Sequence, residues 1–265
     1  MKKTTKNNNA KLWDCEAEQP MTEHVRGEYL TALFTTAANK SINLIKKDKI
    51  KILKVDLWNE GIDFERNILK HYTKEQFELY GIDISKNVCN AALKNQPQIK
   101  TSNGSITNLA FKNNSFDVIL DLSTSDHLPL ENIPAIFEEY CRCLKENGTL
   151  TLIFDWWGFF WKHYLKYVEN KYKRTDSEFL ATEKPKRYIH QIEFMKQELK
   201  KHFDIKGEYC IDYFGWTWNR FTKPLWDRMP KLGYALLLKL EFSKASKFLK
   251  PFAKQYVIIA KKKTK

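Results

Sequence analysis

The sequence predicts an α/β protein built on a doubly wound, mostly parallel sheet, and three observations predict it. Between residues 50 and 155, short apolar runs alternate with helical patterns, the rhythm of a parallel sheet with helices on both faces. The stretch Gly104 to Leu120 reads as a turn, a short excursion, a second turn and a buried strand. The chain has 265 residues and is 43% hydrophobic, enough for one large α/β domain with a full core.

The elements follow in order. Met1–Asn9 is basic, with no apolar segment behind it, and reads as a disordered arm rather than a leader. Apolar residues at helical spacing (Tyr29, Leu30, Leu33, Phe34, Ala37) predict one or two helices over residues 12–48, packed on the sheet. Ile50–Leu57 is a short apolar run suited to a buried parallel strand. Residues 63–73 read as a helix, and Gln76–Asp83 as a second strand ending in an acid. Ser85 is placed to cap a helix over 86–94. A weak third strand spans 98–102, and Phe116–Leu122 is the fourth. Leu130–Glu146 reads as a helix stopped by Asn147-Gly148, before a fifth strand over Thr149–Phe154. Residues 189–202 predict a helix, 203–213 a sixth strand and Gln255–Ala260 a seventh. The resulting division is an arm and helical cap (1–48), a core (49–213), a basic aromatic insert or lid (214–254), and a last strand with a basic tail (255–265).

The net charge of +13 is unevenly spread. Residues 50–155 carry −4, whereas residues 215–265 carry +11, so an anionic partner is sought in the C-terminal fifth. The five cysteines are odd in number and lack metal-ligand spacing, which predicts reduced thiols and no metal site. No window approaches the ~18 uninterrupted apolar residues of a membrane-spanning helix, and the expected location is the cytoplasm.

The motif of Gly104–Leu120 also carries a family resemblance. It resembles the G-D-A-x-x-L-P-F-x-D-x-S-F-D-x-V pattern of class I S-adenosylmethionine (SAM)-dependent methyltransferases, matching at Gly104, Leu109, Phe111, Ser115, Phe116 and Asp117 without a gap. Ser105 stands where the family has an acid, and Ala110 where it has proline. The resemblance implies a Rossmann-like seven-stranded sheet and SAM as cofactor. Such sheets bind ligands beyond the carboxyl ends of their strands. By that resemblance Asp56, Asn59, Glu60 and Gly61 after strand one would meet the cofactor. Asp83 would take the ribose hydroxyls, with Ile84 beside it; Ser105 and Ile106 would take the adenine, and Ser123 would lie near the methionine part. Asp126 and His127 would face the acceptor as base or hydrogen-bond partners.

The first loop departs from the family's glycine-rich form. Trp58, Asn59 and Glu60 occupy most of the glycine positions, and only Gly61 remains. Asp56-Leu57-Trp58-Asn59-Glu60 and Ser123-Thr124-Ser125-Asp126-His127 together resemble a subset of the family with this loop pair. Structural readings stand beside these roles: Asp83 as a helix-capping acid, Ser105 as a plain turn residue, His127 as a helix cap. The favoured function is methyl transfer to oxygen or nitrogen of a small or lipid-linked metabolite. A non-catalytic binding protein that has lost SAM and a nucleic-acid methyltransferase are the competing readings. The insert mixes aromatics (Trp216, Trp218, Phe221, Trp226) with cations and then runs through Leu232–Leu249. It reads as a helical lid, as a peripheral contact with an anionic membrane, or as a nucleic-acid surface.

Overall fold

The computed structural model describes residues 4–18, 27–63, 66–156, 158–159, 163, 188, 191–213 and 231–264. Seven strands form one sheet: β1 (Ile50–Val55), β2 (Phe77–Asp83), β3 (Lys100–Asn103), β4 (Phe116–Leu122), β5 (Leu144–Asp155), β6 (Phe203–Ile211) and β7 (Gln255–Lys262). Their spatial order is β3-β2-β1-β4-β5-β7-β6. The first five pair in parallel, and β7 runs antiparallel between β5 and β6. This is the doubly wound, seven-stranded sheet expected. The strand order reverses direction between β1 and β4, which opens a crevice at their carboxyl ends.

Side chains of successive strand residues alternate between two cores, because a strand points its neighbours to opposite faces. Leu53, Ile119, Leu152 and Ile258 join one apolar cluster, whereas Ile52, Val118, Ile153 and Val257 join the other. Helices α1 (Thr4–Ala17), α2 (Gly27–Ile42), α3 (Trp58–Gly61) and α4 (Lys86–Asn95) precede α5 (Ile133–Cys143), α6 (Ile192–Lys200) and α7 (Lys231–Glu241). One face is covered by α5 and α6 through Ile136, Phe137, Tyr140, Met195 and Leu199. The other is covered by α2 and α4 through Tyr29, Leu33, Ala37, Val88 and Ala92. Both faces are thus dry, which is why the strands read as continuous apolar runs.

Several local expectations change. The chain is helical from Thr4, inside the arm expected to be disordered. The helix expected over 63–73 is instead a 3₁₀ turn at Leu69–Tyr72, following the short α3. The helix expected to run to Glu146 stops at Cys143. Leu144 is fully buried and extended, and pairs with Phe116 as the start of β5. Asn147, at φ 63°, sits within β5 where its register to β4 jumps, so Asn147-Gly148 shapes a bulge rather than a helix stop. The cysteines are free thiols as expected. No helix among the described residues is long and apolar enough to cross a membrane. The aromatic half of the insert, Phe214 to Arg228, lies outside the described residues. Its later part forms α7 and a 3₁₀ segment, Lys244–Phe252.

Candidate functional site

Four loops converge at the crevice, each shaped by its own polar contacts. After β1, Asp56 takes φ 73°, a left-handed conformation rare outside glycine but tolerated by Asp. Its own Oδ1 accepts the Trp58 N–H at 2.7 Å, closing a turn that offsets the strain. The glycine-poor loop therefore makes its sharp turn at Asp56 and then winds directly into α3. Beneath it lies a buried ion pair: Lys54 Nζ stands 2.9 Å from Glu60 Oε2, with side chains 3% and 0% exposed. Lys54 also donates to the Asp56 carbonyl, and Glu60 Oε1 accepts the Ile68 and Leu69 N–H groups at 3.1 and 3.3 Å.

At the end of β2, Asp83 fastens two loops at once. Its Oδ2 accepts the Leu57 N–H and its Oδ1 the Ser85 N–H, each at 2.8 Å. A carboxylate offers about four lone-pair sites, so two stay open to a ligand. Burial, with the nearby Asp56 charge behind it, pushes the Asp83 carboxyl up to about 7. After β3, Ser105 folds a tight turn, its Oγ accepting the Thr107 N–H at 3.3 Å. From α5, Glu139 accepts the Leu109 N–H and Arg142 donates to the Leu109 and Phe111 carbonyls, holding the motif recognised in the sequence.

After β4, Ser123 takes φ 71°, matching Asp56 across the switch point. Ser123 Oγ donates to Asp126 Oδ2, which also accepts the Asp155 N–H at 3.1 Å. Asp121, fully buried, accepts from the Thr124 and Ser125 N–H groups and the Tyr140 hydroxyl, and burial pushes it up to about 6. Thr124 Oγ1 donates to the Val55 carbonyl at 3.0 Å and ties this loop to β1.

These loops line a cleft with about 600 Å³ of space free of protein atoms, open solvent included. Asp56 and Trp58 line it from β1, Ile82, Asp83 and Ile84 from β2. Gly104, Ser105 and Ile106 line it after β3, and Thr124, His127 and Leu128 after β4. Trp13 of α1 closes the remaining side, its ring edge-on to Trp58 (centroids 5.6 Å apart) and to His127 (4.9 Å). Asp14, next along α1, accepts from Ser85 Oγ and the Asn87 N–H, docking the helix on α4. Isoleucine walls, bare backbone at Gly104 and the Asp83 carboxylate, with Asp56 beside it, suit a ligand with a flat apolar ring and adjacent hydroxyls.

Of the residues the sequence singled out, Asp56, Asp83, Ile84, Ser105, Ile106 and His127 meet in this cleft. Asn59, Glu60, Gly61, Ser123 and Asp126 are not in its wall. Glu60 is buried under the loop as the partner of Lys54. Gly61 faces α4, where a Cβ would lie 2.7 Å from the Val88 carbonyl. Asp126, fully buried, stands behind His127 as an anchor for β5. Among the described residues no cluster could hold a metal. Trp13, Trp58, Ile82, Gly104, Thr124 and Leu128 also line the cleft and were not among the predicted site residues. Thr124 stood inside a quoted motif, but nothing local in the sequence marks Trp13, which reaches the cleft through tertiary docking.

A family model described as "Methyltransferase domain" matches residues 50–152. No curated protein matches the sequence. Among solved structures, a SAM-dependent methyltransferase from Methanosarcina mazei shares 15% identity with a TM-score of 0.56, over 84% of this chain and 97% of that one. A geranyl diphosphate C-methyltransferase from Streptomyces coelicolor, crystallised with Mg²⁺, geranyl-S-thiolodiphosphate and S-adenosyl-L-homocysteine, shares 9% identity with a TM-score of 0.59, over 99% of each chain. The [4+2]-cyclase SpnF shares 14% identity with a TM-score of 0.54, over 89% of this chain and 81% of that one. At such identities the likeness is one of fold.

Proposed function

We propose that this chain, whose residues 50–152 match a methyltransferase-domain family model, is a class I SAM-dependent methyltransferase that transfers the methyl group of SAM to an oxygen or nitrogen of a small or lipid-linked acceptor. SAM as its cofactor is supported by the family match and by structural neighbours that are SAM-dependent or hold S-adenosyl-L-homocysteine. When bound, it supplies a methyl group made electrophilic by its sulfonium. The observation that carries the reading is the convergence of Asp56, Asp83, Ser105, Ile106 and His127 on one cleft at the switch point.

Each residue has a task there. Asp83, held by the Leu57 and Ser85 N–H groups, keeps lone pairs for the two ribose hydroxyls. Ser105 and the backbone at Ile106 take the adenine edge, and the Ile106 and Ile82 side chains flank its face. Trp13 and Trp58 shield the reacting end from water, and their electron-rich faces suit a sulfonium cation. His127 accepts the acceptor's proton at an imidazole nitrogen; Asp126 and Ser123 fix the loop that presents it. Positioning supplies most of the acceleration, because methyl transfer is an in-line displacement.

The test is calorimetric titration with SAM and with S-adenosylhomocysteine, followed by acceptor screening with methyl-labelled SAM. Micromolar binding and label transfer support the reading. A folded protein that binds neither ligand removes it. One observation favours a second reading, a binding protein without catalysis: Trp58 stands in the cleft where the family has glycine. The cyclase neighbour illustrates that this fold also carries other chemistry. A folded protein that binds neither SAM nor S-adenosylhomocysteine selects that second reading.

A further inference from the structure

We propose that the segment Lys231–Lys254 docks the protein on an anionic lipid bilayer, with Phe248 as the apolar anchor and its lysines as the charge contact. The segment is firmly seated on its inner side. Ser246 is buried and its carbonyl accepts the Tyr213 hydroxyl at 2.7 Å. Leu249 and Phe252 pack against one core, and Leu237, Leu238 and Phe242 against the other. Among the described residues of the segment, two large apolar side chains are left outside this packing: Phe248 is 86% exposed and Leu236 is 58% exposed. By contrast Phe116, Phe137, Phe154 and Phe203 are all buried.

Charge decides what such a surface fits. The segment holds six lysines and a single acid. That acid, Glu241, is buried and its oxygens take the Tyr29 hydroxyl and the Asp212 and Tyr213 N–H groups. Lys239, Lys244 and Lys250 stand on the surface. An exposed aromatic among cations without exposed acids complements anionic headgroups over an acyl layer. A nucleic-acid strand would match the charge but draws its apolar energy from stacking, and Leu236 has no ring to stack.

The surface also lies on the sheet edge that holds the cleft. Trp156 N–H, just past β5, donates to the Lys254 carbonyl at 3.0 Å, and Gly158 N–H donates to that of Ala253 at 2.8 Å. The Asp155 N–H is the one bound by Asp126, next to His127 in the cleft wall. A bilayer bound here meets a segment whose end is joined to the chain just past β5, on the carboxyl edge of the sheet where the cleft opens. That it presents a lipid-linked acceptor rests on the methyl-transfer reading; the docking itself does not.

The test is flotation of the full chain, without SAM, with vesicles of phosphatidylcholine alone and the same vesicles enriched in phosphatidylglycerol. Binding is expected only to the anionic vesicles, and to fall as salt rises. Phe248→Ser should weaken partitioning about tenfold or more, and Phe248→Trp should retain it. Lys239→Glu with Lys244→Glu should weaken it by roughly tenfold or more. Both sites are exposed, so thermal melts should match wild type. Absence of binding, equal binding to neutral vesicles, or wild-type partitioning by Phe248→Ser overturns the proposal. Binding of a single-stranded oligonucleotide but not of vesicles also overturns it and gives the surface to nucleic acid.

Discussion

Asp83 is where one residue's chemistry bears most directly on function. Its carboxyl titrates near 7 because burial and the Asp56 charge outweigh two backbone N–H bonds. If the ribose hydroxyls donate to the ionised form, SAM affinity should be constant above pH 7 and fall up to about tenfold per unit below it. Calorimetry from pH 5.5 to 8.5 reads this, with Asp83→Asn as control; a flat profile in wild type removes the ribose assignment. Asp83→Ala should weaken SAM binding by roughly 1–3 kcal/mol. His127 separates from it by readout. His127→Ala should lower kcat by about a hundredfold if it takes the proton, with SAM affinity nearly intact. Unchanged turnover would return His127 to packing against Trp13.

The turn between β1 and α3 explains how an element can do without the residues its family uses. Glycine in such a loop supplies positive φ and close approach. Here Asp56 supplies the positive φ, and the Lys54–Glu60 pair holds the turn from below. Breaking one side leaves a buried charge uncompensated. Lys54→Met should therefore destabilise the fold by roughly 3–5 kcal/mol, and Lys54→Met with Glu60→Gln should recover part of that in chemical denaturation. A loss in the double variant equal to the sum of the losses in Lys54→Met and Glu60→Gln alone would show that the pair does not act as a unit. This element also marks the limit of sequence reading. Strands β1, β2 and β4 were legible because their apolar runs are buried on both faces. The switch from α5 to β5 was not, since Leu144 chooses extension through its pairing with Phe116. Asp56, Asp83, Ser105 and His127 were legible as cleft positions through the family resemblance, which places them just past strand ends, where the fold fixes the direction of the chain. Glu60 was not, because its partner Lys54 is an inward-pointing lysine on a strand, where sequence alone suggests a solvent-facing side chain.

At the scale of the molecule, the N-terminal cap and the C-terminal insert are fastened by one carboxylate. Glu241 of α7 accepts the Tyr29 hydroxyl of α2 at 2.6 Å and the Asp212 N–H just past β6 at 2.6 Å. Burial pushes it up to about 8 despite those donors, with the Asp212 charge adding to the rise. The sign of its contribution follows from linkage. Between the ordinary carboxyl value and about 8, the folded chain keeps a proton that the unfolded chain releases, so stability falls as pH rises through that window. The slope is up to about 1.4 kcal/mol per pH unit for one such group. Asp83 near 7 and Asp121 near 6 act in the same direction over narrower windows. Below the window the trend reverses, because Glu78, drawn down to about 2 first by Lys100, loses its partners' support on protonation. The thermal midpoint should therefore peak on the acid side of neutrality and decline toward pH 8. Glu241→Gln imitates the protonated acid at all pH values. Its midpoint should trail or equal wild type near pH 5 and gain on it steadily to pH 8. Parallel curves for the two proteins across that range would mean that Glu241 is already ionised in the fold and that the clasp between cap and insert is an anionic one.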